Sequence, residues 1–230
     1  MLLTLPIREI LPATPRARIA RFDLTGHAFD YAPGQAVAVA SHGQDQRRLY
    51  SIAAAPEDAQ RDGWLELLVG VNSDGAPGPH LTLQPGQLVD VEGPLGSFTF
   101  PAAPSERRFV FIAGGTGIAP LRAMLRHALR IPHRNVGLFY SVRTPDEFAY
   151  EQELHELAQA GDIELRQTVT RASDDWRGPR GRLNRDALAE LVHDPETLCF
   201  VCGPPALVDD IPKLLTELGV PGERIRIEEW

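Results

Sequence analysis

The chain has 230 residues, 43% hydrophobic and 23% charged, which is apolar enough for a real core and excludes a wholly disordered polymer. Its 23 Lys+Arg against 31 Asp+Glu leave a formal charge of -8, the wrong sign for a protein whose main task is binding nucleic acid or an anionic membrane. The length admits one large domain or two small ones.

The opening, MLLTLPIREILPATPR, has neither the basic start nor the apolar run of a secretory leader. Nowhere do 18 apolar residues follow one another, and the two cysteines, Cys199 and Cys202, cannot supply a disulfide framework. The expected location is therefore cytoplasmic.

The first hundred residues alternate β-type runs with turn signals. TLPIREI, ARIARFDL, AVAVAS, RRLYSIA, WLELLVG and LVDVEGP are the runs; APGQ, SHGQDQ, PEDAQRDG, NSDGAPGP and QPGQ punctuate them. PHLTLQPG has room for one helical turn. Six short strands so spaced predict a small antiparallel β-barrel.

The pattern changes at FPAAPSE, residues 100 to 106, which divides the chain into 1–104 and 105–230. Beyond it RRFVFIAG, NVGLFYSV, IELRQTVT, TLCFVCG and RIRIEEW read as strands. Between them LRAMLRHAL, DEFAYEQELHELAQAG, RDALAELV and PALVDDIPKLLTELG read as helices. That alternation predicts an α/β doubly wound five-stranded parallel sheet. Thr144-Pro145-Asp146-Glu147 reads as a capping box opening the second helix, and Pro212 is predicted to kink or split the last one near Asp209.

Parallel sheets bind ligands at the carboxyl ends of their strands. The loop after the first such strand is Gly114-Gly115-Thr116-Gly117-Ile118-Ala119-Pro120. Its glycines let backbone approach a diphosphate, and the following helix offers unpaired N–H groups and a positive dipole end. It is not a GxxxxGK[ST] loop, which argues against a Walker-type nucleotide hydrolase. A tight turn without a ligand is the weaker reading at this position.

In the fourth barrel strand, Arg48-Leu49-Tyr50-Ser51 puts Arg48 and Tyr50 on one face, an aromatic ring and a cation for a flat heterocycle and a phosphate. Ser51 joins them only if the strand ends or bends there. Taken alone, a packing tyrosine beside a solvated arginine is the commoner meaning of such a run.

RLYS, GPLGSF (93 to 98), GGTGIAP, VCGPP (201 to 205) and the terminal EEW, in that order, resemble the ferredoxin–NADP reductase superfamily over nearly the whole chain. The resemblance implies a flavin on the barrel and a nicotinamide dinucleotide on the parallel sheet. It implies that Tyr50 packs on the isoalloxazine, Ser51 hydrogen-bonds near its N5 and Arg48 holds the diphosphate. The family's second phosphate loop, roughly G-x-x-S/T, is here Gly75-Ala76-Pro77-Gly78, without the hydroxyl. FAD is the implied flavin, with FMN as the alternative.

By the same resemblance Thr116 approaches the nicotinamide, Cys202, followed by Gly203, faces its reacting carbon, and Trp230 stacks over the flavin. Glu228 is divided evenly between an active-site carboxylate and a frayed tail. Cys199 and Cys202, three apart on a strand, point to opposite faces, which argues against a redox or metal pair, and core packing is the expectation for Cys199. His155-Glu156 begins like a zinc-protease helix, but Gln159 replaces the second histidine.

Arg143, Thr170, Arg171, Arg180 and Arg182 are the candidate readers of the adenine-ribose phosphate, leaning toward NADPH over NADH. The function implied is hydride transfer from NAD(P)H to flavin, with electrons passed to a separate one-electron acceptor such as ferredoxin or flavodoxin. Arg8, Arg16, Arg18, Arg21, Arg47 and Arg48 are a candidate docking face. A free flavin or ferric reductase, a partner-dependent flavoprotein subunit and a flavin-free nucleotide sensor are the alternatives.

Overall fold

The structure is a computed structural model that describes residues 1–229. Its first half holds β1 (Leu2–Thr14), β2 (Ala17–Asp23), β3 (Ala36–Ser41), β4 (Arg48–Ser51), α1 (Pro56–Asp62), β5 (Trp64–Gly70) and β6 (Leu88–Leu95). The six strands pair antiparallel in the order β4-β3-β6-β1-β2-β5. An antiparallel bridge between Ile52, just past β4, and Leu67 of β5 joins the two ends of that order and closes the barrel. Alternation fills its interior: Val37 and Val39, Leu65 and Leu67, Val89 and Val91 point inward.

The second half contains β7 (Arg108–Gly114), α2 (Ile118–Ala128), β8 (Asn135–Val142), α3 (Glu151–Ala160), β9 (Glu164–Val169), α4 (Arg185–Ala189), β10 (Leu198–Gly203), α5 (Pro205–Glu217) and β11 (Ile225–Glu229). Its five strands are parallel, in the order β11-β10-β7-β8-β9. The chain starts at the centre, runs out to β9 and returns to the other side of β7. The switch in strand order therefore lies between β7 and β10, at Gly114 and Gly203. Phe109, Phe111, Tyr140 and Phe200 form one face of this sheet; Val110, Ile112, Phe139 and Val201 form the other. The barrel packs on the first face, where Phe100 lies 5.0 Å from Phe109 and 5.4 Å from Phe200, centroid to centroid.

Four local expectations are corrected. PEDAQRDG is not a turn but α1, with Pro56 at its start and Gly63 closing it through a bond to the Ala59 carbonyl. PHLTLQPG contains no helical turn. Thr144 introduces a separate 3₁₀ turn (Pro145–Glu147), and Glu147 accepts from the N–H of Arg143 at 3.2 Å. Left-handed Tyr150, φ 59°, then interrupts the chain before α3 begins. Finally, α5 runs unbroken through Pro212, because Val208, Ile211 and Leu215 anchor its buried face on both sides of the proline.

Candidate active site

A cavity of about 850 Å³ opens at the carboxyl ends of the parallel strands. Gly114, Gly115 and Thr116 line its floor beside the switch point, and Arg16, Ala17 and Leu68 of the barrel form the opposing wall. Gly117 shows why the loop is glycine-rich: a Cβ there would stand 2.3 Å from the Cys202 carbonyl oxygen. Gly203 is also tightly packed, since its Cβ would meet the Gly114 backbone at 3.0 Å. The loop, a 3₁₀ turn over Gly115–Gly117, leads directly into α2, with Pro120 at a first-turn position where no N–H is needed.

Farther along the cavity, Arg143 follows β8, Thr170 and Arg171 follow β9, and Arg182 lies on the next loop. The Arg171 N–H donates to the Arg143 carbonyl at 2.7 Å, which ties the two loops together. Glu147 and Asp210 also line this end. Arg180 does not: its guanidinium donates to the carbonyls of Ser173 and Trp176, at 3.2 and 2.6 Å.

On the barrel side, β4 ends at Ser51, whose hydroxyl is buried with no hydrogen-bond partner among the described residues. Leu49 points outward, 55% exposed. The Tyr50 hydroxyl and His80 Nε2 share a 2.7 Å hydrogen bond, and their rings stack at 5.9 Å and 19°. Burial pushes the Tyr50 phenol up to about 12, against the opposing effect of Arg48, so it stays protonated. Burial, then Arg48, pulls the His80 imidazolium below the ordinary histidine range, and the ring is neutral at pH 7.

Gly78 has φ 119°, a conformation that L side chains rarely adopt; the Cβ of a serine or threonine there would stand 3.4 Å from His80 Nδ1 and 3.6 Å from Arg48 Nη1. The missing hydroxyl thus has a backbone reason. Gly75 spends its N–H on the Asn72 carbonyl. These residues fit FAD: Tyr50 offers an aromatic wall, Arg48 a cation, Gly78 an open backbone and Ser51 an unpaired buried hydroxyl.

Within the parallel sheet, Cys202 pairs in register with Glu228 across β10 and β11. Cys202 belongs to the core facing the barrel and Cys199 to the opposite one, where burial raises its thiol to about 12. Trp230 lies outside the described residues. No metal-ligand cluster exists among the described residues, and no helix there is long and apolar enough to cross a membrane.

The six arginines of the candidate docking face all belong to the barrel half. Arg8 and Arg21 each lie 4.9 Å from the Trp64 ring, Arg16 lines the cavity, and Arg18 donates to the Thr14 and Ala17 carbonyls. Arg47 pairs with Glu92 at 3.6 Å, and Arg48 faces Gly78. Sequence reasoning gave Arg16 to the docking face and not to the cavity, and missed His80 and the buried cluster around Arg122. The last had a signal: Arg122, Arg126 and Arg130 recur every four residues on one helical face.

Residues 5–100 match the Oxidoreductase FAD-binding domain family, and residues 111–213 match the Oxidoreductase NAD-binding domain family. Ferredoxin--NADP reductase B of Sorangium cellulosum is 32% identical over 235 residues, which cover 96% of this chain and 94% of that protein. The anthranilate 1,2-dioxygenase electron transfer component of Acinetobacter baylyi is 28% identical over 92% of this chain, which spans 62% of that relative. The flavohem-like FAD/NAD binding domain of nitric oxide dioxygenase from Vibrio cholerae superposes with a TM-score of 0.81 at 26% identity, covering 99% of this chain and 98% of that one. With a closed barrel, a parallel sheet switching at a glycine loop and a cradle that fits FAD, this chain belongs to the ferredoxin–NADP reductase family and is an FAD- and NAD(P)-binding oxidoreductase.

Proposed function

We propose that this protein oxidises NADPH at the junction of its two halves and delivers the electrons to a separate protein acceptor, a ferredoxin or flavodoxin. One observation carries the reading: a single cavity is walled by the glycine loop on one side and by the barrel on the other. Bound against Tyr50, Arg48 and Gly78, FAD would supply the redox chemistry that links a hydride donor to a one-electron acceptor.

In this reading residues 1–104 form the flavin domain and 105–230 the nucleotide domain. Tyr50 supports the flavin ring, with the backbone of Leu49 beside it. Arg48 and the Gly75–Gly78 loop hold the diphosphate, and Ser51 directs its hydroxyl at the reacting edge. Gly114, Gly115, Gly117 and the start of α2, with Pro120, receive the nucleotide diphosphate. Thr116, Cys202 and Gly203 wall the nicotinamide, and Glu228 supplies the nearby carboxylate. Arg143, Thr170, Arg171 and Arg182 grip the 2′-phosphate, which favours NADPH over NADH. Arg180 is withdrawn from that group by its carbonyl bonds.

The names of two relatives, a ferredoxin reductase and a dioxygenase electron transfer component, support a protein as acceptor. The test is an absorbance spectrum of the purified protein followed by anaerobic titration with NADPH and then NADH. A flavin band bleached by NADPH at lower concentration than NADH is expected. A bound flavin that neither nucleotide bleaches would overturn the reading in favour of a partner-dependent subunit.

A further inference from the structure

Arg122, on the second turn of α2, is buried and reaches four residues at once. Its Nη1 donates to the Ala53 carbonyl at 2.7 Å and to Glu66 of β5 at 2.9 Å. Its Nε and Nη2 donate to one carboxylate oxygen of Glu153 on α3, at 2.9 and 2.7 Å. The guanidinium lies 4.2 Å over the ring of Tyr150, the residue held in the left-handed conformation. Glu66 also accepts from Arg21, and Glu153 from Arg126, so neither carboxylate depends on Arg122 alone.

Buried ion pairs are poor sources of net stability, because desolvation offsets much of the attraction, but a planar guanidinium with directional bonds is a good source of register. The register set here spans the two halves of the site. Ala53 stands two residues beyond Ser51 on the same chain segment, and Arg122 stands one helical turn beyond Ile118, where α2 meets the glycine loop. The 2.7 Å bond between them is thus a short path from the flavin strand to the nucleotide helix. Left-handed Tyr150 fits the same account, since a strained non-glycine residue persists only where its surroundings hold it.

We propose that Arg122 is a positioning residue for hydride transfer: it fixes the strand carrying Ser51 against the helix that receives the nucleotide, without touching flavin or NADPH itself. This rests on the reductase reading. Lysine keeps the charge at this position but not the fork, so Arg122→Lys is the test variant. Arg126→Lys is the control, because Arg126 bridges the same halves through Asp58 and Glu153 without reaching the flavin strand.

Four quantities are measured on FAD-loaded protein: the melting temperature, the FAD dissociation constant, the limiting rate of reduction by NADPH, and the change NADP⁺ makes in the oxidised flavin band. For Arg122→Lys the limiting rate is expected to fall at least tenfold and the NADP⁺-induced change to be lost. FAD affinity and calorimetric NADP⁺ affinity should stay within threefold. Arg126→Lys should keep rate and band within twofold, whatever its melting temperature. A rate and band unchanged in Arg122→Lys, or parallel losses in both variants that track melting temperature, would overturn the inference. The NADP⁺-induced band distinguishes the two failures: if wild type shows it without being reduced, the reductase reading falls while the Arg122 comparison still decides the inference. A wild type that shows no such band and is not reduced by NADPH overturns both.

Discussion

A buried hydroxyl without a partner is costly, and Ser51 is one. Alanine at that position should leave FAD bound, since Tyr50, Arg48 and Gly78 are untouched, and should slow flavin reduction on the order of 10²-fold, the scale of losing one preorganised donor. Stopped-flow reduction at saturating NADPH checks this; an unchanged rate removes Ser51 from the chemistry. His80→Phe isolates a different contribution. Phenylalanine keeps the ring against Tyr50 but loses the hydrogen bond, worth about 1 kcal/mol. The FAD dissociation constant, read by fluorescence titration of apo-protein, should therefore rise about fivefold. Glu228 stands in register beside Cys202 and so does not lie in a frayed tail.

At the element scale the critical contact is the packing of the glycine loop on β10. Gly117→Ala forces a Cβ onto the Cys202 carbonyl, and neither partner is a flexible side-chain end. Overpacking of this kind costs about 1–3 kcal/mol. The expected outcome is a lower melting temperature and NADPH binding weakened more than FAD binding, measured by calorimetry on one preparation. The strands and the glycine loop were legible in the sequence because a pleated strand writes its buried face as alternation, and a strand-to-helix turn writes itself in glycine. Segment 56–62 was not legible, since the seven residues Pro56–Asp62 carry too little periodicity to distinguish a helix from a turn. Pro212 misled for the opposite reason: local propensity argued for a break, and packing on the sheet overrode it. The Tyr50–His80 pair, thirty residues apart, and the carboxylate partners of the α2 arginines depend on tertiary proximity, which one sequence does not display.

At the scale of the whole molecule, the two halves are joined by an aromatic seam at Phe98 and Phe100 and by a cluster of ion pairs beside it. Asp58 of α1, in the barrel half, accepts from Arg126 and Arg130 of the other half and pairs with Arg61 at 2.9 Å. Burial alone would raise its pKa, but the hydrogen bonds from Arg126 and Arg130 hold it well below the usual carboxylate range. Glu153 is lowered in the same way, burial being outweighed by Arg122 and Arg126. A carboxylate depressed in the folded state contributes stability that is fully present above its unfolded pKa and is lost as pH falls toward the folded one. The cluster should therefore hold the halves together at neutral pH and release them below the ordinary carboxylate range. Scanning calorimetry at pH 7 should show one cooperative transition, separating into two as pH falls from about 4, the unfolded carboxylate value, toward the lowered folded-state values. Asp58→Asn should bring that separation to neutral pH, because it removes the carboxylate that Arg126, Arg130 and Arg61 share and leaves Arg126 only Glu153 across the cluster. A variant that still melts in one step at pH 7 would assign the coupling to the phenylalanine seam, which does not titrate.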